Sequence, residues 1–414
     1  MSTDVTKTPA AAPPGKSAGA SSDSGLLQLM LDGLRRNMRQ YGMLIALGLI
    51  VALFAVWTDG VLLQPRNVSN LVLQNSYVLI LAIGMMLVII AGHIDLSVGS
   101  LTAFVGAFAA VLTVQHDVAW PVAVVLCLIV GAIAGSIQGF LIAYLGIPSF
   151  IVTLAGMLVF RGFTEILLEG QTLGPFPDSL QKIGNGFLPE TGPDTNYHNI
   201  TLLLGLALMV FVVLQEVRDR KRQQEFSLDV LPRNIFLLKL VSIVAAVLVV
   251  TMLLASYKGA PIILLILGAL VVGYGYVMRN AVFGRHIYAI GGNLPAAKLS
   301  GVKDKKVVFL VFLNMGALAA LAGLAIAARL NAASPKAGLN YELEAIASAF
   351  IGGASMSGGV GTVLGAIIGG VVLGVLNNGM NLLSVGSDWQ QVIKGLALLA
   401  AVGFDVWNKR KSGS

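Results

Sequence analysis

The sequence predicts an all-α membrane protein that crosses the bilayer about ten times, with 10 to 12 helices as the range. Only 11% of the 414 residues are charged and 56% are hydrophobic, whereas average soluble chains are about 25% charged. Runs of about 20 apolar residues recur between positions 41 and 407, and each can cross a hydrocarbon core of about 30 Å. The 48 glycines suit helices in lipid, because small residues let two backbones approach closely.

The apolar runs define nine spans before a region that glycines interrupt. These predicted spans are residues 41–57, 76–92, 99–115, 119–145, 147–168, 199–217, 237–257, 260–278 and 307–328. The glycine-broken region at 342–381 and a last span at 388–407 follow. We therefore expect a transmembrane domain at 41–408, with tails at 1–40 and 409–414.

Lys and Arg residues cluster before the first span, after the sixth, between the eighth and ninth, and at the end of the chain. Cytoplasmic loops carry an excess of these residues. Both termini and the 279–306 loop are therefore predicted to be cytoplasmic, and the 169–198 loop to lie outside. Residues 1–24 lack the apolar core of a signal peptide, which predicts a disordered cytoplasmic tail and an uncleaved first span.

The GGASMSGG stretch at 352–359 is expected to split the 342–381 region into a short helix and a longer one. Irregular backbone at membrane depth is tolerated only where protein or a water-filled cavity covers it. The break is therefore either a wall of a transport path or a tight turn between two helices. Gly361, Gly365 and Gly369 form a small-residue face, suited to packing within the subunit or in a dimer.

The sequence also excludes several classes of function. It contains no GxxxxGK[ST] phosphate-binding loop, and its four His residues lack metal-ligand spacing, so we expect no catalytic residues, no metal site and no cofactor. The net charge of +7 sits at loop ends, where topology places it, and does not indicate nucleic-acid binding. Cys127, the single cysteine, is expected to be a small buried side chain.

Polar side chains within or beside the spans are the candidates for lining a transport path, because hydroxyl groups need donors and acceptors but no counter-ion. These candidates are Gln74, Asn75, Asp95, Thr153, Ser355, Asn377 and Asn378. For the uncharged residues, the alternative is a hydrogen bond between helices. For Asp95, it is a cap on a helix that starts near Leu96, with help from Ser97.

Three further ionisable groups lie inside predicted spans. Arg161 and Glu165 are four residues apart, so we expect them to neutralise each other on one helical face. Lys394 is expected to pair with Glu342 or Glu344, or to bind a lipid phosphate. No series of acidic residues runs through the spans, which argues against a proton-driven carrier.

Residues 281–302 form a basic, glycine-broken loop between two apolar spans. Such a loop, in a chain without an enzyme motif, indicates that another protein docks there. Helix-forming residues at 294–299 follow a Gly-Gly-Asn turn at 291–293, with Pro295 in the first turn and Gly301 at the end. This pattern predicts a helix of about two turns.

Five motifs make the chain resemble the permease subunits of bacterial ABC importers for monosaccharides, the branch with the ribose, galactose and xylose systems. They are IDLSVGS at 94–100, PSFIVTLAGMLVFRG at 148–162, FGRHIYAIGGNLPAAKLSGV at 283–302, AIASAFIGGASMSGGVGTVLGAIIGGVVLGVLNNGMNLL at 345–383 and WQQVIKGLALLAAV at 389–402. The similarity covers about residues 40–408. The TDG at 58–60, the long 169–198 loop and the basic insert at 217–236 are most similar to the xylose-type members.

The resemblance implies a helical fold of the vitamin B12 importer type (type II) and a permease homodimer with a central path in the bacterial inner membrane. It implies two partners: a periplasmic sugar-binding protein, and an ABC ATPase that often consists of two fused nucleotide-binding domains. D-xylose is the implied cargo, with ribose, galactose and arabinose as alternatives. A secondary sugar carrier is the rival from another class, and a channel or structural membrane protein is the third hypothesis.

The resemblance also makes the 283–302 loop a coupling helix that docks into a cleft of the ATPase. The implied docking residues are Gly291, Gly292, Asn293, Leu294, Ala296, Ala297, Leu299, Ser300 and Gly301. Ala296, Ala297 and Leu299 are expected to form the contact surface, with Lys298 toward its rim.

Overall fold

A computed structural model describes residues 38–193, 196–226, 230 and 232–412. The predicted tail at 1–40 lies outside these residues except for its last three positions, which begin the first helix. Of the predicted tail at 409–414, the last two residues also lie outside, and the others continue the last helix. The described residues are mostly helical, with no strand named among them.

Fifteen α-helices follow one another along the described part of the chain. They are α1 (Met38–Trp57), α2 (Pro65–Ile90), α3 (Val98–Ala110), α4 (Trp120–Ala143), α5 (Ser149–Leu168), α6 (Asp178–Asn185), α7 (Asn199–Glu225), α8 (Arg233–Ala255), α9 (Ile262–Asn280), α10 (Val282–Gly292), α11 (Leu294–Leu299), α12 (Asp304–Leu330), α13 (Tyr341–Ile351), α14 (Val363–Leu382) and α15 (Ser387–Ser412). A 3-10 turn, Val61–Leu63, precedes α2, and a π-helical turn, Val111–Gln115, extends α3.

Within the described residues, nine helices are long and apolar enough to cross a membrane. They are α2, α3 with its π-helical extension, α4, α5, α7, α8, α9, α12 and α14. Helix α1 adds a shorter apolar segment, Gly42–Trp57, and α15 covers the last predicted span. The polytopic all-helical class is therefore confirmed, whereas the total number of crossings stays a prediction.

Helix α2 forms the centre of the bundle, because 89% of its apolar window is buried. Helices α12, α14 and α13 pack around it, and α3 packs on α12. Helices α7 and α8 are mostly exposed and pack against each other. An apolar helix with a wide exposed face suits a position toward lipid.

Glycines set the spacing between α4 and α12. A Cβ atom on Gly135 would overlap the carbonyl oxygen of Phe312, and one on Gly316 would overlap the carbonyl oxygen of Gly131. The two backbones are therefore in direct contact, as in other small-residue interfaces between membrane helices.

The glycine-broken region divides as predicted, into the short α13 and the longer α14. The two helices pack closely, because a Cβ on Gly365 would overlap the carbonyl oxygen of Gly352, and one on Gly369 would overlap that of Ser348. Gly361 faces the side chains of Met86 and Ile90 on α2. The predicted small-residue face therefore serves packing within the subunit.

Helices α3 and α13 both begin inside the bundle. Thr102, in the second turn of α3, donates a hydrogen bond to the carbonyl oxygen of Ala319, in the middle of α12. The connection from α12 to α13, residues 331–340, packs against the start of α3, where Gly338 touches the backbone of Gly99. Irregular backbone therefore lies among helices of membrane-spanning length.

Arg161 on α5 holds this connection in place. Its Nη1 donates hydrogen bonds to the carbonyl oxygens of Pro335, at 3.0 Å, and Ala337, at 2.8 Å. The expected pair with Glu165 is wrong, because the described contacts of Arg161 are these carbonyl oxygens and Glu165 is exposed. The sequence pattern on one helix did not show that a second element approaches it.

Candidate docking helix and transport path

The 294–299 segment forms the short helix that the sequence predicts. Asn293 caps it, since its side-chain Oδ1 accepts a hydrogen bond from the backbone N–H of Ala296 at 3.0 Å. Pro295 lies in the first turn, where its missing N–H costs no hydrogen bond. Gly301 ends the segment with φ of +81°, a conformation that favours glycine.

The outer surface of α11 is apolar and open. Leu299 is 91% exposed, and Leu294 and Ala296 are exposed beside it. Lys298 turns back to Asp304, with its Nζ 3.2 Å from the carboxylate. An exposed leucine on a loop between charged residues is suited to burial in another protein.

Ala297 does not belong to this open surface, contrary to our expectation. Its side chain is only 4% exposed and packs in the apolar core of the chain. Ala296 and Leu299 are three residues apart and share the exposed side of α11, whereas Ala297 lies on the side that faces the core. Ala297 therefore supports α11 from below.

The turn before α11 lies directly on the end of α2 and on the broken loop at 352–361. A Cβ on Gly291 would overlap the carbonyl oxygen of Ile90 and lie 2.6 Å from the backbone nitrogen of Gly359. Gly359 donates its N–H to the same Ile90 carbonyl at 2.9 Å. Tyr288 adds a hydrogen bond from its hydroxyl to the carbonyl oxygen of Gly361, at 2.7 Å.

Asp95 lies in a buried polar group before α3, whereas Thr153 bonds within its own helix, α5. Asp95 Oδ1 accepts hydrogen bonds from the backbone N–H of Ser97, at 2.9 Å, and from its hydroxyl, at 2.7 Å. Gln138 donates to the same hydroxyl at 2.8 Å, and Thr153 donates to the carbonyl oxygen of Ser149 at 2.8 Å. Helix α3 starts at Val98 with Ser97 as its N-cap, so Asp95 stabilises the turn before the helix.

The candidate residues on α2 and α14 mostly join these helices to each other. Asn378 and Asn67 exchange two hydrogen bonds, at 2.8 and 3.1 Å. Asn75 donates to the carbonyl oxygen of Leu71 and packs over Gly374. The Asn378 pair fits the alternative of a hydrogen bond between helices. Asn75 bonds within its own helix and only packs against α14.

Ser355 and Gln74 lie in different surroundings. Ser355 is fully buried in the 352–361 loop, where its hydroxyl is 3.0 Å from that of Ser357 and its N–H donates to the carbonyl oxygen of Val360. It therefore shapes the loop. Gln74 is half-buried on α2, three residues before Tyr77.

Asn377 belongs to a cluster that sequence reasoning only partly found. Glu344 Oε1 is 3.0 Å from Lys394 Nζ and accepts from Asn377 Nδ2 at 3.4 Å, while its Oε2 accepts from the hydroxyl of Tyr77 at 3.0 Å. The ring of Tyr77 lies 4.2 Å from that of Tyr341, centroid to centroid. These five residues are the Glu344 cluster. Sequence reasoning named Lys394, Glu344 and Asn377, whereas it did not single out Tyr77 or Tyr341.

Comparison with known proteins places this architecture in a class. The chain matches the family of permease components described as "branched-chain amino acid transport system / permease component" over residues 67–402. It therefore belongs to this family of transport permeases. No solved structure is significantly similar to the chain.

Its curated relatives are more specific in name. The xylose transport system permease protein of Haemophilus influenzae is 43% identical over 376 residues, which cover 91% of this chain and 98% of the relative. The corresponding xylose protein of Escherichia coli is 40% identical over 381 residues, 92% of this chain and 95% of the relative. The ribose import permease protein of Escherichia coli is 33% identical over 368 residues, 89% and 93% of the two chains.

The contact at Gly291 yields a structural prediction. Gly291→Ala will force α10 and α11 away from α2 and expose the Gly359 amide, because the added methyl overlaps the Ile90 carbonyl. Overpacking of this kind costs about 1–3 kcal/mol, so amides in 352–361 will exchange roughly tenfold faster or more. Hydrogen exchange with mass spectrometry measures this in the purified permease.

The neighbouring glycine provides the control. A Cβ on Gly292 meets nothing within 4 Å, so Gly292→Ala will leave exchange at 352–361 as in the wild type. Equal exchange rates in the two variants would show that the Gly291 contact does not hold the loop.

Proposed function

We propose that this chain is the permease subunit of an ABC importer that carries D-xylose across the bacterial inner membrane. The main support is the identity of 43% and 40%, over nearly the full length of both chains, to xylose transport system permeases. Identity to a ribose import permease is lower, at 33%. Ribose, galactose and arabinose remain the alternative sugars.

The chain is not itself an enzyme in this proposal. A separate ABC ATPase, consisting of two fused nucleotide-binding domains, hydrolyses ATP, and a periplasmic sugar-binding protein delivers the sugar. The exposed Leu299 surface of α11 is the proposed ATPase contact. The contact of Gly291 with Ile90 and Gly359 then links motion of α11 to the loop between α13 and α14. Two copies of the permease, each with the type II fold, enclose the path.

The proposed transport is tested by reconstitution. Liposomes that contain the permease and its ATPase will accumulate radiolabelled D-xylose when supplied with the loaded binding protein and ATP. They will not do so with ADP or with a proton gradient alone, because the energy comes from the partner's nucleotide. Uptake that a proton gradient drives without ATP would favour the secondary carrier, and faster ATP-driven uptake of ribose, galactose or arabinose would reassign the sugar.

Docking is tested at the exposed leucine of α11. Leu299→Glu will weaken ATPase binding about tenfold or more, since an unpaired charge in a protein interface is unfavourable. Native mass spectrometry of the purified complex will show two permease copies without the ATPase. Leu63→Glu, at another exposed leucine far along the chain, is the control and will keep the whole complex. Retention of the ATPase by Leu299→Glu would place docking elsewhere.

We also propose that both termini and the 279–306 loop are cytoplasmic and that the 169–198 loop is periplasmic. Asp178 lies in the 169–198 loop and Lys303 in the 279–306 loop, and both are exposed. A cysteine at each position therefore reports on one side of the membrane. On a Cys127→Ser background, an impermeant maleimide applied to intact spheroplasts will modify Asp178→Cys but not Lys303→Cys. The opposite labelling would reverse the orientation, and permeabilised membranes control for reactivity.

A further inference from the structure

The Glu344 cluster places charged and aromatic groups at the middle of the bundle. Tyr77 lies half-way along the buried helix α2, and Glu344 lies in the first turn of α13, which itself begins inside the bundle. Asn377 lies on α14 and Lys394 lies on α15. Four helices therefore bring polar groups together where the spans are otherwise apolar.

The cluster is partly open. The side chain of Glu344 is 12% exposed and that of Lys394 is 26% exposed. Beside them, Leu339 and Asn340 are exposed at the end of the irregular 331–340 connection. Lipid can cover neither irregular backbone nor partly exposed charges, because it offers no hydrogen bonds. The open side of the cluster is therefore suited to face a water-filled path or a second copy of the chain.

We propose that the Glu344 cluster is the contact point for the monosaccharide half-way through the path. This inference rests on the proposed function. The Glu344 carboxylate accepts hydrogen bonds from sugar hydroxyls, Lys394 donates to a hydroxyl oxygen, and the Tyr77–Tyr341 pair offers a ring face to the C–H groups of the sugar. Asn377 adds an acceptor.

The chemistry of the cluster fits a neutral polyol. A sugar has hydroxyls around its edge and C–H groups on its faces, so it needs acceptors, donors and an aromatic surface together. Asn377 Oδ1 is buried and has no hydrogen-bond partner among the described residues, which leaves an acceptor for a guest. The ion pair keeps Glu344 and Lys394 neutral overall when no sugar is present.

A purely structural role makes a different prediction. If the ion pair only ties α13 to α15, its loss will slow transport of every sugar by the same factor. A contact to a particular hydroxyl will instead change the ratio between D-xylose and the analogue that lacks this hydroxyl. The binding protein is the same in every assay, so its own preference cancels when a variant is compared with the wild type.

The experiment measures ATP-driven uptake of D-xylose and of its monodeoxy analogues in the reconstituted importer. The penalty for a missing hydroxyl is the ratio of D-xylose uptake to uptake of the analogue that lacks this hydroxyl. In Glu344→Gln, this ratio will fall about tenfold for at least one analogue, which is the size of a lost hydrogen bond to a charged group. Asn377→Ala will reduce the penalty at one position as well. Asn377→Ala removes one long hydrogen bond, from Nδ2 to Glu344 Oε1 at 3.4 Å, and keeps the Glu344–Lys394 ion pair, so this variant will fold even if Glu344→Gln does not assemble.

Glu165→Gln is the matched control, because it neutralises an exposed carboxylate on α5 outside the cluster. Its uptake penalties for the missing hydroxyls will equal those of the wild type. Unchanged penalties in every cluster variant that assembles would overturn the inference and leave the cluster a structural tie. If the wild-type importer takes up no D-xylose with ATP, the proposed function itself fails, which is a separate result.

Discussion

Polar groups at the depth of the apolar spans are costly unless they find partners inside the protein or in a water-filled path, because the hydrocarbon of the lipid supplies none. This constraint explains contacts that are far apart in sequence. The Arg161 guanidinium binds the carbonyl oxygens of the 331–340 connection, and Asn67 pairs with Asn378 across 311 positions. The Glu344 carboxylate takes bonds from three helices. The irregular backbone that a transport path needs is stable only because these groups cover it.

Small residues serve the same constraint by letting backbone groups of different segments contact each other directly. Where Gly291, Gly359 and the end of α2 meet, backbone touches backbone, and the Gly359 amide bonds to the Ile90 carbonyl. A close-packed contact of this kind has little freedom to slip, so a push on α11 moves the 352–361 loop with it. Helix α13, which carries Glu344 in its first turn, ends directly before that loop. The proposed docking surface and the proposed sugar contact are thus linked through the Gly291 contact, the 352–361 loop and the length of α13.

The contrast between Ala296 and Ala297 shows where sequence reasoning stops. Helical spacing, the Asn293 cap and Gly301 predict α11 correctly, since these signals act within a few residues. They do not tell which side of a two-turn helix faces the bundle. The same limit applies to Arg161, whose predicted partner one turn away on the same helix is replaced by carbonyl oxygens 174 and 176 positions distant.

The sequence by itself determined the polytopic helical class, the split of the glycine-broken region and the short helix at 294–299, because apolar length, glycine and capping residues act locally. It also indicated that Lys394 pairs with Glu342 or Glu344, or binds a lipid phosphate. Only the tertiary structure shows that Glu344 is the partner of Lys394. It also places Tyr77, Tyr341 and Asn377 around the same carboxylate. The reason is that α3 and α13 begin inside the bundle, and this depends on how the helices and the 331–340 connection pack together, which no single segment specifies.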